Sequence, residues 1–152
     1  MPIALAVVLF LSPPQPYAWP VSPPRVVRPF DPPPRPWLAG HRGVDLASAP
    51  GVEVLAAGAG TVVFVGSVGG RGVVSVAHLG GLRTTYEPVT ATVAVGDRLT
   101  PGDPIGRLEA GHAGCPVAAC LHWGLLQGDV YLDPLALLGL GRVRLLPLKA
   151  GE

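Results

Sequence analysis

The chain has 152 residues, 49% of them hydrophobic, and a net charge of +1. That length suits one domain, and the lack of a basic run excludes a nucleic-acid-binding footprint. Gly (21) and Pro (19) exceed a quarter of the chain and would suggest low complexity, but 12 of the 19 prolines fall within the first 36 residues, so the remainder can bury a core.

Ile3–Leu11 is an apolar run of signal-peptide length, too short to span a bilayer. The small residue Ala18 offers a cleavage point before Trp19, although no positive n-region precedes the run. Residues 1–18 are expected to be a signal peptide, so membrane contact is expected only through an uncleaved N-terminal segment. Residues 19–36 read as a Pro-rich extended lead-in with one strand around Arg25–Phe30. Residues 37–140 are expected to form the folded domain, and 141–152 a C-terminal tail.

From Trp37 onward the signals are β. Val52–Ala57, Gly60–Val65, Val73–His78 and Leu82–Tyr86 are short runs rich in Val, Leu and Thr, separated by glycines. Gly80-Gly81 reads as a hairpin turn. Thr92–Val95, Arg98–Leu99 and Ile105–Glu109 come next, with turns at Gly96-Asp97 and Pro101-Gly102-Asp103. Ala119–Leu126 is the last clear strand. Asp133–Leu138 reads as a short helical stretch with Asp133 as cap and Pro134 at its first position. Short strands at close spacing predict an all-β sandwich or barrel with little helix.

Few residues could carry chemistry. His41 and Asp45, in GHRGVDLA, stand four apart in what reads as a loop or irregular start of a strand. An imidazole and a carboxylate are half of a zinc site. His122 lies between Leu121 and Trp123 in the last strand; alone it reads as a half-buried histidine bonded to backbone, and with His41 and Asp45 it completes a three-ligand set. Cys120 shares the strand face of His122. It could close a disulfide with Cys115, act as a fourth zinc ligand or be an inert buried thiol; export favours the disulfide. His78 and His112 read as structural or solvent-exposed. Glu87, after Tyr86, is the one carboxylate placed to reach a site, against a solvated loop role. Asp97, Asp103, Asp129 and Asp133 read as turn and cap residues.

These pieces match a family. Residues Gly40–Ala47, Ala49–Val54 and Ala56–Val62 resemble the opening of the lysostaphin/LytM-type zinc endopeptidases. Val95–Leu99 with Gly102–Gly106 is similar to their later turn and strand. Leu121-His122-Trp123 is similar to their closing strand, and Asp133-Pro134 to the residues after that strand. The resemblance covers roughly Val26–Leu138. It implies a compact antiparallel β domain, a barrel-sandwich hybrid, that binds one zinc and cuts peptide bonds of bacterial peptidoglycan. It also implies a secreted or cell-wall-associated protein.

The positions matching the family's ligands are His41, Asp45 and His122. The two accessory histidines of the family fall on Cys120 and Pro88 here, which leaves Glu87 and Cys120 as candidates for a catalytic role. The missing histidines raise a second reading, a catalytically silent module that docks on cell wall or regulates another hydrolase. A structural zinc site completed by Cys120 is a third. The Gly- and Val-rich strands are also similar to lipoyl and biotin carrier domains, but those need a hairpin lysine and the only lysine is Lys149.

Overall fold

The computed structural model describes residues 16–140. The expected signal-peptide run at Ile3–Leu11 and the tail at 141–152 lie outside them. The strands are β1 (Val26–Arg28), β2 (Val44–Ser48), β3 (Glu53–Leu55), β4 (Gly60–Val68), β5 (Arg71–Ala77), β6 (Leu82–Glu87), β7 (Val89–Ala91), β8 (Arg98–Leu99), β9 (Pro104–Leu108), β10 (Ala119–Gln127) and β11 (Val130–Leu132). Among the described residues the helical content is two 3₁₀ turns, Leu79–Gly81 and Pro134–Leu138. The larger sheet runs β1-β2-β10-β6-β5-β4-β8, with β11 also on β10, and the smaller runs β3-β9-β7. The pairings are antiparallel and neither sheet closes into a barrel.

Side-chain alternation explains the layering. Successive residues of a strand face opposite sides of the sheet. In β2, β10 and β6 the residues Val44, Leu46, Leu121, Trp123, Thr84 and Tyr86 face one side and are fully buried. They join one core with Val54, Ile105, Leu108 and Val89 of the smaller sheet. The intervening residues Asp45, His122 and Glu87 face the other side. The register aligns them, since His122 lies opposite Asp45 across β2–β10 and opposite Glu87 across β10–β6.

The Pro-rich lead-in is part of this fold. Val21 is fully buried, and Tyr17, Trp19 and Phe30 pack against the core. Proline lacks an N–H but keeps its carbonyl, and the lead-in uses one: the Leu55 N–H donates to Pro20 O at 2.8 Å.

Three local expectations change. The segment from Val44 is a regular strand, because β1 and β10 flank it on both edges. The strand expected at Thr92–Val95 is replaced by β7, which pairs with β9 as far as Ala91; the Asp97 carboxylate then accepts from the Ala94 N–H at 2.9 Å and folds the chain into a turn. Strand β11 gave no signal of its own and forms by pairing with the end of β10. The Gly80-Gly81 turn is present, with φ of 77° and 73° that favour glycine. Asp133 caps the last turn as expected, accepting from the Leu135 N–H at 3.0 Å.

A buried polar chain crosses the core. The Ala57 N–H donates to the Tyr86 hydroxyl at 3.0 Å, and Tyr86 and Thr84 Oγ1 lie 2.8 Å apart. Thr84 Oγ1 is 2.7 Å from His78 Nε2, and His78 Nδ1 is 2.7 Å from the Ala59 carbonyl. A carbonyl only accepts, so His78 carries its hydrogen on Nδ1 and accepts from Thr84 at Nε2. Burial pushes the His78 pKa down, against the raising effect of the Ala59 bond, and pushes the Tyr86 hydroxyl up to about 12. A histidine with a depressed folded pKa contributes full stability above its unfolded value of about 6.5 and loses it as pH falls toward the folded value. Denaturant midpoints of the wild type should therefore decline as pH falls below about 6.5. His78→Gln should flatten that slope, and an equal slope in both proteins would remove His78 as its source.

Candidate metal centre

The site is assembled from three segments. Asp45 is the second residue of β2, and His122 faces it from β10. Their pairing places His122 Nδ1 2.8 Å from Asp45 Oδ1. His41 comes from the segment before β2, where it is bridged to Asp31 through both backbone bonds. Its Nε2 lies 3.0 Å from the same Oδ1. The His41 and His122 rings meet edge to face, with centroids 4.9 Å apart.

His41 Nδ1 is 2.8 Å from the Pro29 carbonyl, which fixes the hydrogen on Nδ1. In the neutral ring, Nε2 then presents a lone pair to a carboxylate oxygen at 3.0 Å, two acceptors with no hydrogen between them. Only a proton or a cation between them relieves that arrangement. One nitrogen from His41, one oxygen from Asp45 and one nitrogen from His122 lie within 4.8 Å of one another. The donor set of two imidazoles and one carboxylate suits zinc, so the residues present fit such an ion.

Asp45 is 1% exposed, and burial alone would raise its pKa. The hydrogen bond with His122 and the charges of His41, His112 and His122 outweigh that and hold the carboxyl below its usual range. The centre opens on a cleft of about 630 Å³ whose lining includes Arg28, Arg42, Arg71, Glu87 and Tyr131.

Glu87 lies in the same row as Asp45 and His122, lines the cleft, and has Oε1 4.0 Å from Arg71 Nη1. Cys120 is buried and bonded to Cys115, with a Cα–Cα separation of 5.7 Å. With its sulfur in a disulfide, Cys120 offers neither a thiolate ligand nor a group for proton transfer, so those readings are set aside. His78 belongs to the polar chain that crosses the core.

His112 differs from its expected structural or exposed role. Its side chain is 8% exposed, and Nε2 lies 3.2 Å from Asp45 Oδ2. Its ring is 5.9 Å from that of His122. A histidine flanked by glycines carries no periodic signal. The available clue was covalent: Cys115, three residues later, can bridge to Cys120, two residues before His122. The Pro29 carbonyl was equally hidden, since backbone partners leave no sequence mark.

Comparison with known proteins agrees with this geometry. The model of peptidase family M23 matches residues 39–134. The uncharacterized protein Rv2891 of Mycobacterium tuberculosis is 55% identical over 137 residues, covering 87% of this chain and 55% of that protein. The chain thus spans about half the length of the curated relatives it matches. Among solved structures, lysostaphin is similar at a TM-score of 0.67 and 25% identity, over 91% of this chain and 58% of that one. Helicobacter pylori Csd3 is similar at 0.65 and 29% identity, over 80% of this chain and 32% of that one. With the family match spanning His41, Asp45 and His122, the chain belongs to peptidase family M23.

Proposed function

We propose that this domain is an exported zinc metalloendopeptidase that cuts peptide cross-links of bacterial peptidoglycan. The observation that carries the reading is the convergence of His41, Asp45 and His122 beside a cleft, in a chain of a peptidase family. Three protein ligands leave one position open, as in catalytic rather than structural zinc sites. Zinc held there would polarise a scissile carbonyl and lower the pKa of water.

The chain's own residues supply the rest. The Pro29 carbonyl orients the His41 ring, and the β2–β10 register holds His122 against Asp45. Arg28, Arg42 and Arg71 line the cleft with planar donors suited to the carboxylates of a wall peptide. Glu87, in the row with His122, is the group placed to take or return a proton. Export is supported by the apolar Ile3–Leu11 run and by the disulfide, which persists in oxidising compartments.

A second reading keeps the fold and the zinc without the chemistry. It is favoured by Cys120 and Pro88 standing where the resemblance places accessory histidines. In that case the domain docks on the wall or regulates another hydrolase.

The purified protein should contain stoichiometric zinc and release soluble fragments from peptidoglycan, and Asp45→Ala should lose both. Zinc without any Asp45-dependent release would leave the silent module standing. Glu87→Gln should keep its zinc while fragment release falls about 10²-fold, in line with the loss of a positioned proton carrier; an unchanged rate would place the proton transfer elsewhere. Gly43→Ala probes the close strand approach. A Cβ there would stand 2.5 Å from the Trp123 carbonyl oxygen and 2.8 Å from His122 Nε2. Its backbone neighbour cannot swing aside, so β2 and β10 must part at the ligands. Chelator competition should show zinc affinity reduced at least about tenfold, with stability lower by about 1–3 kcal/mol.

A further inference from the structure

We infer that His112 is a positioning residue of this metal centre, delivered to Asp45 by the Cys115–Cys120 disulfide. The inference rests on the proposed metal centre and deepens it.

His112 lies in the connection between β9 and β10. The Cys115 N–H donates to the His112 carbonyl at 3.2 Å, and Gly114 has a φ of 79°. A positive φ at the third residue of such a turn marks type II. Cys115 is then bonded to Cys120, on β10 two residues before His122. Residues two apart in a strand share a face, so the bridge anchors the connection on the face that carries the site. Ala113, Gly114, Pro116, Val117 and Ala118 are exposed. Apolar burial therefore does little to hold this segment down, which leaves the bridge and the His112 ring as its anchors.

The ring makes one specific contact. His112 Nε2 lies 3.2 Å from Asp45 Oδ2, a close imidazole–carboxylate contact. His112 Nδ1 is buried without a partner. The ring is thus buried with one nitrogen unsatisfied and the other on Asp45. The two carboxylate oxygens are divided: Oδ1 faces His41 and His122, and Oδ2 faces His112. By holding Oδ2, His112 fixes the rotation of the carboxylate and turns Oδ1 toward the other two ligand atoms. Outer-shell groups that orient a ligating side chain tune metal affinity by this means.

The test measures zinc affinity by chelator competition in the whole chain for the wild type, His112→Ala, His112→Gln, the double variant Cys115→Ser/Cys120→Ser, and that double variant combined with His112→Ala. His112→Ala should bind zinc about 10–100-fold more weakly, and His112→Gln should recover part of this because its amide N–H can reach Oδ2. Loss of the bridge should weaken binding when His112 is present and add little once His112 is alanine. Thermal unfolding with zinc removed checks that each variant is folded; if the bridge variants do not fold, the His112→Ala and His112→Gln pair decides. Equal affinity of the wild type and His112→Ala would overturn the inference alone. So would a bridge effect of the same size with and without His112. A wild type that binds no zinc would overturn the metal-centre reading and this inference together.

Discussion

The β2–β10 ladder is the constraint on which the site and the core both depend. Pairing Asp45 with His122 also pairs Val44 with Trp123 and Leu46 with Leu121. The first pair meets on the outer face of the sheet and the other two in the core. A slip of one residue would exchange the faces, sending a carboxylate into the core and leucines out of it. Apolar burial thereby enforces the register, and the register holds Asp45 and His122 of the candidate centre opposite each other. Glu87 enters the same row from β6 because Tyr86, its neighbour, is locked into the core by its hydroxyl bonds to Thr84 and Ala57.

What the ladder does not supply comes from irregular chain, and there the prolines matter. A proline has no backbone N–H to donate, but its carbonyl accepts. Pro29 takes the Nδ1 hydrogen of His41 and so leaves the Nε2 lone pair facing Asp45. Gly40 allows the approach: a Cβ there would stand 2.7 Å from Asp31 O and from Pro33 Cδ. The lead-in therefore acts on the site through its backbone, and the buried Val21 ties it to the core.

The disulfide has a comparable role on the other side of Asp45. It removes Cys120 from the chemistry, and it joins the segment bearing His112 to the strand bearing His122. Asp45 is in this way contacted by three imidazoles, one from each of three differently restrained segments. Membership of peptidase family M23 describes the scaffold on which this arrangement is built. On that scaffold His112 and the Cys115–Cys120 bridge stand beside His41, Asp45 and His122.

The all-β architecture, most strands, the Asp133 cap and the three residues His41, Asp45 and His122 that converge at the candidate centre were legible in the amino-acid order. Alternation, glycine punctuation and family-like spacing are local properties that a sequence displays directly. Strand β11, the displaced β7, the packed lead-in and the placement of His112 were not legible. Each depends on a partner distant in sequence: β11 on the end of β10, Val21 on a core made by two sheets, His112 on Asp45. Such contacts depend on which surfaces remain open once the strands have paired, and only the tertiary structure decides that.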